Sequence, residues 1–267
     1  MATYDLSHPL EAGMQTYPGD PSVEIEPHAD FETDGYRVTA LSLGSHSGTH
    51  VDAPSHTQDD GATLGAFAPD AFRFDAQLAD VRLGARAPIG VADLPDATDA
   101  DLLVLHTGWD DHWGTARSPD HPFLTRAAAE WCVDHGYDVA TDALNVDPTP
   151  SPSAEPTEPT EPTEPTEPTE PTEPTEPTEP TEPTEPTEPT EPTEPTEPTE
   201  PTEPTEPTEP AESTGFAAHD AILGAGRLIY ENLTGLARLP SRFEFHGYPL
   251  ALDGDGAPVR AVASTDD

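Results

Sequence analysis

The chain of 267 residues carries 53 acidic residues against 10 basic ones, a formal charge of −43, and every basic residue is an arginine. That balance excludes an electrostatic grip on nucleic acid or on an anionic membrane, both of which need basic patches, and the lone Cys132 excludes an intrachain disulfide. The opening "MATYDLSHPLEAGM" has neither the basic start nor the apolar run of a signal peptide, and no stretch approaches the ~20 apolar residues of a membrane span, so a soluble cytoplasmic protein is expected.

In chain order, "SVEIEPH" alternates Val23 and Ile25 with glutamates and predicts a strand, and "YRVTALSLG" predicts a second that ends before the histidine-rich stretch 46–56. "DLLVLHTGW" reads as a buried strand over Leu102 to Leu105 opening into a loop at Gly108. "LTRAAAEWCVDHG" reads as a helix with Thr125 as N-cap, Cys132 on its apolar face and Gly136 as its stop. "YDVATDAL" follows as a strand, "FAAHDAILGAG" as a short helix, "RLIYENL" as a strand whose last residues include Glu231, and "PVRAVA" as the closing strand. Alternation of this kind favours an α/β domain.

Between those halves lies a tract in which Glu-Pro-Thr repeats from Glu155 to Thr208 and closes with Glu209 and Pro210. Proline at every third position favours polyproline II, whose three residues per turn would line the glutamates along one edge at roughly 9 Å intervals. Such a sequence buries no core and is expected to be a disordered surface loop. The flanking segments are too short to fold apart, so the chain is read as one domain, its first part over 1–148 and its second over 215–267, interrupted by an insertion over 149–214. Growing a loop from ~6 to ~60 residues adds only about 2 kcal/mol of closure entropy. Acidity persists outside the tract, where 34 acidic residues still face ten arginines, which points to adaptation to high salt.

The stretch "HSGTHVDAPSH" places His46, His50, Asp52 and His56 within eleven residues, with Gly48 and Pro54 to turn the chain. Imidazole and carboxylate are ligands for divalent zinc, manganese or iron, and four such groups at this spacing favour a metal site over a solvated loop. The stretch resembles the H-x-G-T-H-x-D-x-P-x-H signature of the cyclase family, which includes bacterial kynurenine formamidases and isatin hydrolases. "DLSHPLEAGMQTYPGDP", "LHTGWD", "HDAILGAGRLIYENLTGL" and "YPLALDGDGAPVRAVA" are similar to further segments of that family, in the same order.

The resemblance implies a swivelling β/β/α fold and a homodimer. It also implies two divalent ions, zinc ahead of manganese: His46, His50 and Asp52 would hold one, Asp52 would bridge to a second held by His219, and Glu231 would bridge as well. His56 would carry the proton. The implied activity is hydrolysis of a small aromatic amide, with N-formylkynurenine the first choice; an isatin-type cyclic amide and a non-catalytic acidic spacer on the same fold are the alternatives. Kynurenine formamidases generally carry tryptophan before the "PGD" turn, where this chain has Tyr17, which can still stack on an arene. His106 is read as a structural group capping a buried strand, Trp109 and Trp113 as core packing, and Arg260 as paired with a carboxylate. His8, His28, His112, His121, His135 and His246 lack ligand spacing and are read as surface or structural. Deleting 155–210 is expected to leave activity largely intact, measured against the full chain at equal thermal midpoint; lost activity with intact folding would give the tract a role of its own.

Overall fold

The structure, a computed structural model, describes residues 1–150 and 215–265. The Glu-Pro-Thr tract, and with it the disorder expected of the insertion, lies outside the described residues. In chain order the elements are β1 (Ala2–Asp5), β2 (Glu24–Ala29), α1 (Phe31–Asp34), β3 (Val38–Ser42), β4 (His50–Asp52), β5 (Arg73–Asp80), β6 (Pro88–Ile89), β7 (Leu102–His106), β8 (Phe123–Leu124), α2 (Arg126–Asp134), β9 (Asp138–Thr141), α3 (Ala217–Gly224), β10 (Ile229–Glu231), β11 (Arg242–His246), β12 (Gly256–Pro258) and β13 (Val262–Thr265). Nine of the strands form one mixed sheet in the order β1-β13-β11-β5-β7-β9-β10-β4-β12, while β2 pairs with β3 and β6 with β8. No described helix is long and apolar enough to cross a membrane.

The centre of the sheet is parallel, from β5 through β7 and β9 to β10, and antiparallel strands close both sides. β7 shows why. All five of its residues are buried, with Leu102 and Val104 on one face and Leu103 and Leu105 on the other. A continuous apolar run needs cover on both faces, which parallel strands obtain from their crossover connections. One face receives Ala128, Ala129 and Cys132 of α2 and Ala218, Ile222 and Leu223 of α3. The other is packed by Phe74, Tyr230 and Phe245, with Tyr230 and Phe245 ring centroids 5.0 Å apart.

Several expectations are met at the residues that carry them. Thr125 Oγ1 accepts from the Ala128 amide at the start of α2, and Gly136 follows the helix at φ 83°. Arg260 pairs with Asp5, and Trp109 is buried. One reading needs correction. "PVRAVA" is not one strand: β12 ends at Pro258 and β13 begins at Val262, because the segment passes from the β4 edge to β11. The second predicted strand does end before the histidine-rich stretch, but as β3 it belongs to a separate hairpin with β2 and is exposed at all five residues, and β4 lies inside the stretch itself. β1, β5 and β11 were missed: β5 and β11 alternate apolar and polar residues but carry charges along the exposed face, and β1 is a short edge strand.

His121 fastens the last described residues before the tract. Its Nδ1 donates to the Pro122 carbonyl and its Nε2 accepts from Thr149 Oγ1, both at 2.8 Å, while Arg86 donates to the Thr149 carbonyl at 3.0 Å. Both ring nitrogens are satisfied by a neutral imidazole, and burial lowers its pKa from 6.5 to about 4. A folded-state pKa below the unfolded one costs nothing above pH 6.5 and destabilises progressively as pH falls through 4. Between pH 7 and 4 the parent should therefore lose about 3 kcal/mol more stability than His121→Gln, at 1.36 kcal/mol per unit, measured by denaturant unfolding of the two proteins side by side.

Candidate metal centre

β4 explains why a His-x-Asp pair suits a strand. Residues two apart share a face, so His50 and Asp52 project together while Val51 points into the aromatic core. The antiparallel neighbour β10 brings Glu231 opposite His50, on the same face. α3 covers that face and supplies His219. His46 stands just before β4, and Gly48 between them adopts φ 65°, a left-handed conformation that glycine takes without strain. The turn Pro54–His56 then places His56 at the side of the cluster, its ring centroid 4.0 Å from that of His46. All six residues assigned from the sequence thus meet, and with Tyr17 they line one cavity of about 150 Å³.

Asp52 lies at the centre. Its Oδ1 is 2.6 Å from His46 Nδ1 and 3.2 Å from His50 Nε2, and its Oδ2 is 3.5 Å from His219 Nε2. His219 Nε2 and His50 Nε2 each lie 3.7 Å from a Glu231 oxygen. The opposite nitrogen of every ring is anchored: His50 Nδ1 on the Gly48 carbonyl at 2.8 Å, His219 Nδ1 on Asp147 at 2.8 Å, and His46 Nε2 on Asp255 at 2.9 Å. Each imidazole is therefore oriented by one nitrogen and presents the other to Asp52, the arrangement that metal-ligating histidines show.

The electrostatics call for positive charge. Burial alone would keep these histidines neutral, but Asp52 and Asp255 raise His46 to about 9, and Asp147, Asp52 and Glu231 raise His219 to about 10. Burial and the neighbouring Asp52 charge push Glu231 up to about 7, whereas the surrounding histidines overcome burial and hold Asp52 well below the carboxylate range. Asp52 Oδ2 is buried without a hydrogen-bond partner. A buried, unpartnered carboxylate oxygen facing imidazole nitrogens fits a divalent cation, and two groups of three, His46–His50–Asp52 and Asp52–His219–Glu231, bring their ligand atoms within 4.8 Å of one another.

Four polar groups escaped the sequence reading. Asp147 accepts from the Ala218 and His219 amides as well as the His219 ring, so it caps α3 and aims its histidine at once. Asp255 sits beside His46 and His56. Asn145 and Asn232 line the cavity, Asn232 at φ 58° with its Nδ2 donating to the Gly48 carbonyl. The only available signal was adjacency: Asn232 follows Glu231, and Asp147 ends a strand-to-loop segment. His106, Trp109 and Trp113 do not line this cavity, and Trp113 stacks on His8 with centroids 4.2 Å apart.

A family model described as "Putative cyclase" matches residues 4–148. A kynurenine formamidase of Erythrobacter litoralis is 32% identical over 154 residues, covering 55% of this chain and 68% of that protein. Another, of Salinibacter ruber, is 27% identical over 271 residues, covering 98% and 97%. Among solved structures, isatin hydrolase A from Ralstonia solanacearum superposes with a TM-score of 0.67 at 19% identity, covering 98% of this chain and 91% of that one. A structure described as a potential metal-dependent hydrolase with cyclase activity gives 0.62, also at 19% identity, covering 98% and 96%. These superpositions establish the shared fold, a mixed α/β architecture around one large sheet.

Asp147→Ala should cost about 1–2 kcal/mol of stability through the lost helix cap and weaken divalent-metal binding about 10- to 100-fold by releasing His219, read by thermal melts and by competition with a chromophoric chelator.

Proposed function

The chain belongs to the cyclase family, and on that premise we propose that it is a metal-dependent hydrolase of C–N bonds in small aromatic amides, with N-formylkynurenine as its first candidate substrate. The observation that carries this reading is the convergence of three anchored imidazoles on two buried carboxylates at the floor of a cavity. In this proposal His46, His50 and Asp52 hold one divalent ion, zinc ahead of manganese, and Asp52, His219 and Glu231 hold a second. Such ions, when bound, polarise a carbonyl and lower the pKa of water toward 7.

The protein's own groups supply the rest. His56 lines the cavity, is only partly buried, and lies beside the two groups assigned to the ions, falling instead in a third group with His46 and Asp255. Burial lowers its pKa, and the neighbouring His46 and His219 add to that against the pull of Asp52 and Asp255, so it is neutral at pH 7 and free to accept a proton. It takes the proton released as water adds to the amide carbon. When the C–N bond breaks, it returns that proton to the departing nitrogen. Tyr17 and Phe216 line the cavity and present aromatic surface to an arene. A homodimer, a cytoplasmic location and an interrupted single domain belong to the same proposal on sequence grounds.

His56→Ala should lower kcat on N-formylkynurenine about 10²–10⁴-fold with metal content unchanged, followed as kynurenine release in molar KCl with zinc or manganese restored. A metal-loaded parent protein that releases no kynurenine would end the formylkynurenine assignment and move the search to cyclic amides such as isatin.

A further inference from the structure

Two of the three anchored histidines are fixed by groups that contact no second titratable ring. His50 leans on the Gly48 carbonyl, and His219 on Asp147, whose side chain is as buried as the ring it holds. Asp255 is different. Its side chain is 45% exposed, at the rim, and the oxygen that meets His46 Nε2 at 2.9 Å also lies 3.5 Å from His56 Nδ1. One carboxylate therefore faces a candidate metal ligand and the candidate proton carrier together.

The mount beneath Asp255 is rigid. Its carbonyl accepts from the Ala53 amide at 2.8 Å, and the next residue, Gly256, begins β12 opposite Asp52. A Cβ at position 256 would stand 2.7 Å from His46 Cε1 and 2.9 Å from the Val51 carbonyl oxygen, so glycine is what lets the strand pass this close beneath the ring. On the other side, the His56 amide donates to the Ala53 carbonyl at 2.9 Å. The amide and carbonyl of one residue, Ala53, thus tie Asp255 and His56 to the end of β4. The spacing between the carboxylate and the two rings is set by backbone hydrogen bonds.

We propose that Asp255 is a positioning residue for proton transfer: it fixes the His46 and His56 rings relative to each other and holds the His56 proton on Nδ1, leaving Nε2 as the nitrogen that serves the cavity. At 3.5 Å the Asp255–His56 pair is longer than a hydrogen bond, and catalytic pairs of this kind tighten when substrate is in place. This inference rests on the hydrolase reading for the step it assists. Water adds to the amide carbon and its proton passes to His56 Nε2; the C–N bond then breaks, its electron pair stays on nitrogen, and the same proton follows to that nitrogen. Asp255 gains and loses no proton in this sequence.

The test compares leaving groups. Formanilide releases aniline, a poor leaving group that needs the proton, whereas 4-nitrophenyl formate releases 4-nitrophenolate, a stabilised anion that does not. For Asp255→Asn in the zinc-loaded full chain, kcat on formanilide should fall about 10- to 100-fold with KM unchanged, and kcat on the ester should fall about tenfold less, because the ester uses only the first of the two proton transfers, from water to His56. Asp255→Glu should recover part of the loss. At saturating zinc, metal content and thermal midpoint should match the parent. Peptide-mapped carbethoxylation provides a readout independent of turnover: His56 should react about twofold more slowly in Asp255→Asn, as the tautomer with Nε2 unprotonated falls from all to about half of the population, with exposed His28 as the unchanged control. Equal loss on both substrates, or unaltered His56 reactivity, would overturn the proposal. Zinc that stays off Asp255→Asn even at saturating metal would overturn it in favour of a ligand role, because His46, His56 and Asp255 also form a group able to hold an ion; a weaker affinity that saturating metal restores is what release of the His46 ring produces. A parent that retains zinc but cleaves neither substrate would sink the hydrolase reading, and His56 reactivity alone would then decide Asp255.

Discussion

Two carboxylates buried side by side are the constraint to which the rest of the centre answers. Asp52 and Glu231 project from adjacent strands onto one face, each nearly inaccessible to solvent. Buried like charges repel strongly in a medium of low dielectric, and the cost is relieved only by nearby positive charge or by protonation. The three surrounding imidazoles are raised in pKa by this demand, and each is kept in place by an acceptor on its far side. A divalent ion would meet the same demand with more charge in less space. The sheet makes this possible, because β10 lies between β9 and β4 and brings residues from opposite ends of the chain into one register.

The division of labour between the sheet faces follows from strand alternation. Val51 and Tyr230 point into the aromatic core, while their neighbours His50, Asp52 and Glu231 point toward α3. A one-residue slip of β4 would place a valine where His50 and Asp52 stand and drive both of them into hydrocarbon. The apolar core therefore protects the register of the metal centre as well as contributing to stability.

What the sequence made legible was local and dense. Four titratable residues in an eleven-residue stretch announced themselves, and β7, α2 and α3 followed from continuous apolar runs and helix-ending glycines. The supporting acceptors did not. Asp147 and Asp255 are two among many acidic residues, and nothing in their neighbours distinguishes a carboxylate that anchors an imidazole from one that faces water. Their roles arise only when α3 and β12 dock against β4. The edge strand β1 and the charged faces of β5 and β11 were hidden for a related reason: residues that pair in the sheet but face solvent lack the apolar pattern by which strands are read. Tertiary pairing, rather than local preference, sets those strands.

The interleaving of the two chain halves has a consequence for how the molecule could be divided. Residues before 151 supply β1, β4, β5, β7 and β9, those after 214 supply β10 to β13, and in the finished sheet these alternate, with β10 held between β9 and β4 and β11 between β5 and β13. Asp147 adds a further tie by accepting both amide hydrogens at the start of α3. A backbone cut between 151 and 214 would break none of the sheet's hydrogen bonds between described strands, and would leave neither piece with a complete centre. The fold thus contains the geometry of a complementing fragment pair, in which the shared carboxylate Asp52 comes from one piece and its partners His219 and Glu231 from the other.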